Sequence, residues 1–194
     1  MSPTSGGRPF DTQISKKLLE AAKTMMEERG FSELSVDSIT SAANTTAPAF
    51  YRRYANLAEL AVTVIIERFG DVAVGDSGDL DADLRVFQQH EVEVFNSPLV
   101  RHNLPALFDM ARTNEAIRDL YVNKLVRPRR DRLREVFAAA RDRGELPAGG
   151  DDEYACDLLT GPLLSRLLVP LGLPIDDAFI ERTVASAVRE LRSI

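Results

Sequence analysis

Apolar positions recur along this chain at the three- and four-residue spacing of amphipathic helices almost from end to end. No run alternates with the two-residue period of a half-buried strand. The spacing predicts a first helix from about Thr12 to Arg29, with Ile14, Leu18, Ala21, Ala22, Met25 and Met26 on one face. Lys16, Lys17, Glu20 and Lys23 fall outside that face. Gly30 stands where a glycine past the last turn ends a helix, with Phe31 placed to fold back on Met26. A short helix follows, capped by Ser35, with Asp37 in its dipole-favoured first turn and Val36, Ile39, Ala42 and Ala43 as apolar positions. Asn44 and Thr45 make a turn. Thr46 then caps a third short helix, with Pro48 in the first turn, where its missing N–H costs little. Phe50 and Tyr54, four residues apart, point to a core. Asn56 with Glu59 reads as N-cap and capping-box partner of a fourth, longer helix through Phe69.

The Gly-, Asp- and Ser-rich stretch from Gly70 to Asp81 marks a joint. Beyond it five further helical segments are predicted, roughly Ala82–Asn96, Leu99–Arg112, Glu115–Arg143 with a kink at Pro128, Asp152–Leu168 and Asp176–Arg192. The fold class is all-α, with about nine helices. Residues 1–11, rich in Ser, Gly and Pro, read as a flexible arm. Residues 12–70 form a helix-turn-helix unit with its linking fourth helix, and residues 71–194 form a helical-bundle body.

The chain has 194 residues, enough to bury a core without staples. Its one cysteine, Cys156, cannot form an intramolecular disulfide, which suits a reducing compartment. Neither a signal peptide nor a transmembrane helix is expected, because the most apolar stretch, Cys156 to Leu173, is interrupted by Asp157, Gly161, Pro162, Arg166 and Pro170. A cytoplasmic location follows as the expectation. The net charge of −6 lies wholly in the body: residues 1–70 carry 8 basic against 8 acidic groups, residues 71–194 carry 16 against 22. Composition alone does not suggest a nucleic-acid binder.

The order of motifs does. Leu34 to Leu60, LSVDSITSAANTTAPAFYRRYANLAEL, resembles the DNA-binding signature of the TetR family of one-component transcriptional regulators. The stretches PRRDRLREVFAAARDRGELP and DLLTGPLLSRLLVPLGLPIDDAF resemble one class of TetR-type C-terminal domain, so the likeness spans nearly the whole chain after the arm. Phe50 and Tyr54 would lock the third helix onto the first two. Ala47, Pro48, Ala49, Tyr51 and Arg53 would then be left to enter the major groove of double-stranded DNA. Arg53, or Arg52 beside it, is the candidate guanine or phosphate contact. The resemblance assigns Tyr51 and Thr46 to phosphates, with Ser35, Thr45 and Asn56 at the edges of the same surface. Many relatives have Gly where this chain has Asn44, a mild departure because Asn tolerates a left-handed backbone. Leu57 stands where relatives usually have Lys, and Ala47 where many have a polar reader. Both departures imply fewer direct contacts.

For the body, the resemblance implies a cavity for a small, mostly apolar molecule. Candidate lining residues are Phe87, Phe95, Leu104, Leu107, Phe108, Met110, Tyr121, Phe137, Leu163 and Leu167, with His90, His102, Asn103 and Arg166 as polar candidates. Any one of these apolar residues is more simply read as core. The last two helices would form a homodimer interface through Tyr154, Leu158, Leu159, Phe179, Thr183, Val184, Ala187, Val188 and Leu191. The resemblance thus implies a homodimeric repressor released from a palindromic operator by its ligand. An activator with the same contacts, or a helical enzyme or carrier retaining the head, are the alternatives.

No catalytic reading survives. GDSG at Gly75 to Gly78 matches a serine-protease nucleophile segment, but the chain lacks the β-barrel that would place a triad. No Walker loop, dinucleotide fingerprint or HExxH occurs, so neither cofactor nor metal is expected. His90-Glu91 has no second histidine at helical spacing. Cys156, alone at a helical core position, reads as inert packing.

Overall fold

The computed structural model describes residues 12–70, 74–75, 77–169 and 171–193. The arm expected over 1–11 and parts of the joint lie outside them. Among the described residues all regular structure is helical: α1 (Thr12–Arg29), a 3-10 turn (Phe31–Glu33), α2 (Val36–Ala42), α3 (Ala47–Tyr51), α4 (Leu57–Phe69), α5 (Leu80–Asn96), α6 (Pro98–Thr113), α7 (Glu115–Tyr121), a π segment (Val122–Val126), α8 (Arg127–Asp142), α9 (Asp152–Leu168) and α10 (Asp177–Leu191).

Side-chain caps set the starts of most of these helices. Ser35 accepts from the Ser38 amide at 3.0 Å while Ser38 Oγ receives the Ser35 amide at 3.2 Å, a reciprocal box at α2. Asn56 accepts from the Glu59 amide at 2.9 Å at α4, and Glu59 reaches back to the Ala55 amide at 2.6 Å. Asp79 caps α5 from the Ala82 amide, so that helix begins two residues earlier than its apolar period predicts. Between α2 and α3, Asn44 has φ 48°, the left-handed conformation its side chain tolerates. Gly30 has φ 81° after α1, and a Cβ there would lie 3.2 Å from the His102 carbonyl oxygen.

The helix expected across Glu115–Arg143 is a continuous rod whose middle widens into the π segment. Pro128 has no N–H and crowds the carbonyl four residues back, so the regular ladder cannot run through it. The strain is taken up by the turns just upstream. Ion pairs bind α8 to α9: Arg130 meets Glu153 at 2.8 Å and also Asp157, while Arg134 meets Glu153 and Arg141 meets Asp152.

Two apolar cores result. The first joins α1 to α4 with the C-terminal part of α5, with α6 and with α7; Leu18, Met26, Ile39, Phe50 and Leu60 are fully buried in it beside Leu99, Leu104 and Leu107. The second packs the N-terminal part of α5 against α8, α9 and α10 around Leu84, Phe87, Leu133, Phe137, Cys156 and Val184. The first core therefore continues past residue 70 into the body. Two side chains from α6 add polar ties at this seam. Asn103, fully buried, donates to the Met26 and Leu99 carbonyls at 2.9 and 2.6 Å, and His102 Nδ1 lies 2.8 Å from the Glu27 carbonyl.

Candidate nucleic-acid interface and body cavity

α3 spans only five residues, so its orientation depends on what it buries. Phe50 is wholly buried and Tyr54 nearly so, with ring centroids 5.8 Å apart. Burial, with Glu67 nearby, raises the Tyr54 phenol above its usual range. Tyr51 stands edge-on to Phe50 at 5.2 Å yet remains 59% exposed. Thr46, Pro48, Tyr51 and Arg52 share the exposed face, Ala47 and Thr45 are half-buried beside it, and Ser35 and Asn56 are exposed at its margins. Thr46 also caps the helix from the Ala49 amide at 3.4 Å.

Two expected groove residues sit differently. Ala49 is buried against the first core and is removed from the outward face. Arg53 lies past the end of α3, where Nε donates to Ser15 Oγ at 3.1 Å and Nη1 to the Ala49 carbonyl at 2.9 Å. It braces α3 on α1, and Arg52 is the arginine turned to solvent. At about 100° per residue, positions 49, 50 and 53 fall on one arc and 47, 48, 51 and 52 on the opposite one. Once Phe50 points inward, Ala49 and Arg53 must follow.

In the body, a mostly apolar cavity of about 280 Å³ lies between α4, α5, α6, α7, the π segment, α8 and α9. Of the expected lining residues Phe95, Leu104, Phe108 and Tyr121 border it, the last two edge-to-face at 5.2 Å. Burial pushes the Tyr121 phenol up to about 12. The other expected lining residues do not border it. Phe87 and Phe137 belong to the second core, Leu107 and Leu163 to the first, and Leu167 packs on the first from outside the cavity. His90 is half-buried away from it, His102 holds α1, and Arg166 stacks over the Phe179 ring at 5.6 Å in a groove between α9 and α10. Sequence reasoning missed Glu91, Arg129, Arg130, Thr160 and the aliphatic wall of Ile65, Val94, Val100, Leu125 and Leu164. Glu91 had a visible signal. It interrupts the apolar stripe Leu84, Phe87, Val94, Phe95 of α5, which forces a carboxylate inward.

The dimer residues also divide. Leu159, Thr183, Val184, Ala187, Val188 and Leu191 are buried within their own chain, because α10 lays its apolar stripe on α5 and α9. All but Thr183, which also lines the groove between α9 and α10, turn their side chains into their own chain's core. Tyr154 is exposed, and Leu158 and Phe179 are half-buried along the groove of about 450 Å³ between α9 and α10, with Pro162, Ser165 and Arg182. Leu168, the last residue of α9, and Val169, Leu171 and Leu173 after it are also exposed. Among the described residues no group of side chains could hold a metal ion, and no helix is long and apolar enough to cross a membrane.

Residues 18–64 match the family model described as bacterial regulatory proteins of the tetR family, and residues 74–187 match the tetracyclin repressor-like C-terminal domain. The chain is 30% identical over 173 residues to the DNA-binding transcriptional repressor TetR of Mycobacteroides abscessus, covering 88% of this chain and 89% of that one. It is 25% identical over 188 residues to the HTH-type transcriptional regulator YdeS of Bacillus subtilis, covering 96% and 94%. Among solved structures it superposes on the TetR family transcription regulator SCO0332 with TM-score 0.76 and 24% identity, over 92% of this chain and 98% of that one. It superposes on the Bacillus subtilis regulator FadR in complex with stearoyl-CoA with TM-score 0.67 and 14% identity, over 92% and 97%. With a DNA-binding head matched at one end and a regulatory body matched over more than half its length, the chain belongs to the TetR family of transcriptional regulators.

Proposed function

We propose that the protein is a homodimeric repressor that holds a palindromic operator and is released when a small, mostly apolar molecule fills the body cavity. The observation that carries the DNA half is the split of α3: Phe50 and Tyr54 buried, Tyr51, Pro48 and Arg52 turned out together. Tyr51 and Thr46 would meet phosphates, and Arg52 a phosphate or a guanine edge. The exposed groove of α9 and α10, with Leu158 and Phe179 along it, and the exposed Tyr154 ring earlier on α9 support pairing of two copies about a two-fold axis. Such a dimer would set two recognition helices one or more DNA turns apart, about 34–36 Å per turn. The mostly apolar cavity, with α4 as one wall, supports the ligand half, and the stearoyl-CoA complex of FadR is a case of this fold holding a ligand. Release requires the ligand to bind the DNA-incompetent arrangement more tightly than the competent one.

The test is a titration of the purified protein onto DNA from upstream of its own gene at several salt concentrations. Binding that steepens as salt falls, and that weakens in Tyr51→Ala and Arg52→Ala, supports the reading. Salt-independent binding, or none at any salt, overturns it.

A further inference from the structure

Arg129 occupies a singular position. It follows Pro128 directly, just past the place where the helical ladder fails, and its side chain borders the cavity. Nε donates to Glu91 of α5 at 3.0 Å, Nη1 to the Leu125 carbonyl of the π segment at 3.2 Å, and Nη2 to the Phe69 carbonyl at 2.8 Å. Phe69 is the last residue of α4, whose final carbonyls have no partner within their own helix. A cation there satisfies one of them and meets the negative end of the helix dipole. One side chain thus joins the cavity wall to the helix that carries the head. The Glu91 carboxylate is 2% exposed and holds the guanidinium in place.

The charges around the cavity cancel. Glu91 is matched by Arg129, and Asp157 by Arg130, so no charge is left over to receive an ionic ligand. A charged occupant would have to break one of these pairs or be buried without a partner, and either is costly. The volume of about 280 Å³ is close to twice the roughly 150 Å³ of an apolar cavity that takes a single benzene ring.

We infer that the cavity takes an uncharged, largely apolar molecule of about two-ring size whose polar group engages the Arg129–Glu91 pair, and that Arg129 relays occupancy to the C-terminal end of α4. This rests on the cavity being the effector site of the proposed repressor. An occupant that hydrogen-bonds Glu91 or the guanidinium competes with the Phe69 carbonyl, loosening α4 at its distal end. Arg129 is a positioning residue, acting on the head only through α4.

The experiment uses the full-length protein with three probes of one shape: 2-naphthol, 2-naphthoate and 2-naphthylmethylammonium. Calorimetry reads affinity, and hydrogen–deuterium exchange reads α4. 2-Naphthol is expected to bind at least about tenfold more tightly than either charged probe. It is also expected to speed exchange of the last α4 amides about tenfold, within the usual span of site-to-site coupling. Removing Arg129 alone would strand Glu91, so the coupling is tested in Glu91→Gln/Arg129→Gln, which removes both charges together and shortens the side chain that reaches the Phe69 carbonyl. In that variant 2-naphthol still binds, while exchange in α4 is no longer altered by it. Tighter binding of a charged probe overturns the ligand class. Binding without a change in α4 exchange, or an equal change in the double variant, overturns the relay. Failure of every probe to bind overturns the whole inference, and the operator titration, which needs no probe, then reports separately on DNA binding.

Discussion

Replacing Phe50 by Ala should cost the protein about 4 kcal/mol of folding stability, whereas replacing its neighbour Tyr51 should cost almost none. The Phe50 ring is fully buried, so truncation removes its transfer free energy and leaves a cavity, together about 3–5 kcal/mol. About 1 kcal/mol of that belongs to its ring contacts with Tyr51 and Tyr54 at 5.2 and 5.8 Å. Set against a whole-domain stability of about 5–15 kcal/mol, the loss is large. It falls on a helix of five residues that cannot stand by itself. Tyr51 is 59% exposed, so Tyr51→Ala should stay within about 0.5 kcal/mol. Urea denaturation followed by circular dichroism gives both numbers, and fluorescence anisotropy on upstream DNA gives affinities. Phe50→Leu, with a smaller cavity, gives a folded intermediate case. The reasoning fails if Phe50→Ala costs under about 1 kcal/mol, or if Tyr51→Ala destabilises as much, because either would mean that the two faces of α3 have been assigned the wrong way round.

Arg52→Ala should weaken DNA binding and lower the slope of log affinity against log salt by about 1, measured by anisotropy at several salt concentrations. Arg53→Ala should act mainly through stability, by loosening α3 from Ser15 of α1. At Asn44, φ 48° suits glycine and penalises a Cβ. Asn44→Ala should therefore lower stability by about 1 kcal/mol while Asn44→Gly stays near neutral, as thermal melts will show. Burial raises the Cys156 thiol to about 11, above its value in the unfolded chain. Its contribution is then complete below the unfolded value of about 8.5 and is lost as pH rises through about 11, so Cys156→Ala should flatten the alkaline fall in stability seen by denaturant titration. Ser165→Arg puts a charge on the exposed groove without touching either core, and light scattering should find that it shifts dimers to monomers.

Local chemistry made much of this legible from residues alone. Ser35, Thr46 and Asn56 announce helix starts because hydroxyl and amide oxygens satisfy orphan amides next in sequence. Asn44 marks the turn, and Phe50 with Tyr54 marks the inward face. The misplaced residues follow from relations between distant segments. Ala49 and Arg53 required the inward arc of α3 to be drawn around Phe50. Phe87 and Phe137 look like ligand-cavity residues in a list of aromatics, but which of two cores receives them depends on how α5 is shared between its neighbours. The stripe of α10 is wide enough to suggest a partner chain, yet α5 lies against it, and α5 is some 90 residues earlier. Arg129 escaped notice because its importance comes from Phe69, 60 positions upstream.

The continuity of the first core across residue 70 governs how such a regulator can be rebuilt. A head transplanted at the joint would leave Leu99, Leu104 and Leu107 facing a foreign α1 and α4, and Asn103 dependent on where that α1 places the main-chain carbonyl now supplied by Met26. A working exchange of DNA specificity should instead keep the native α1 and α4 and rewrite only the outward positions 47, 48, 51 and 52.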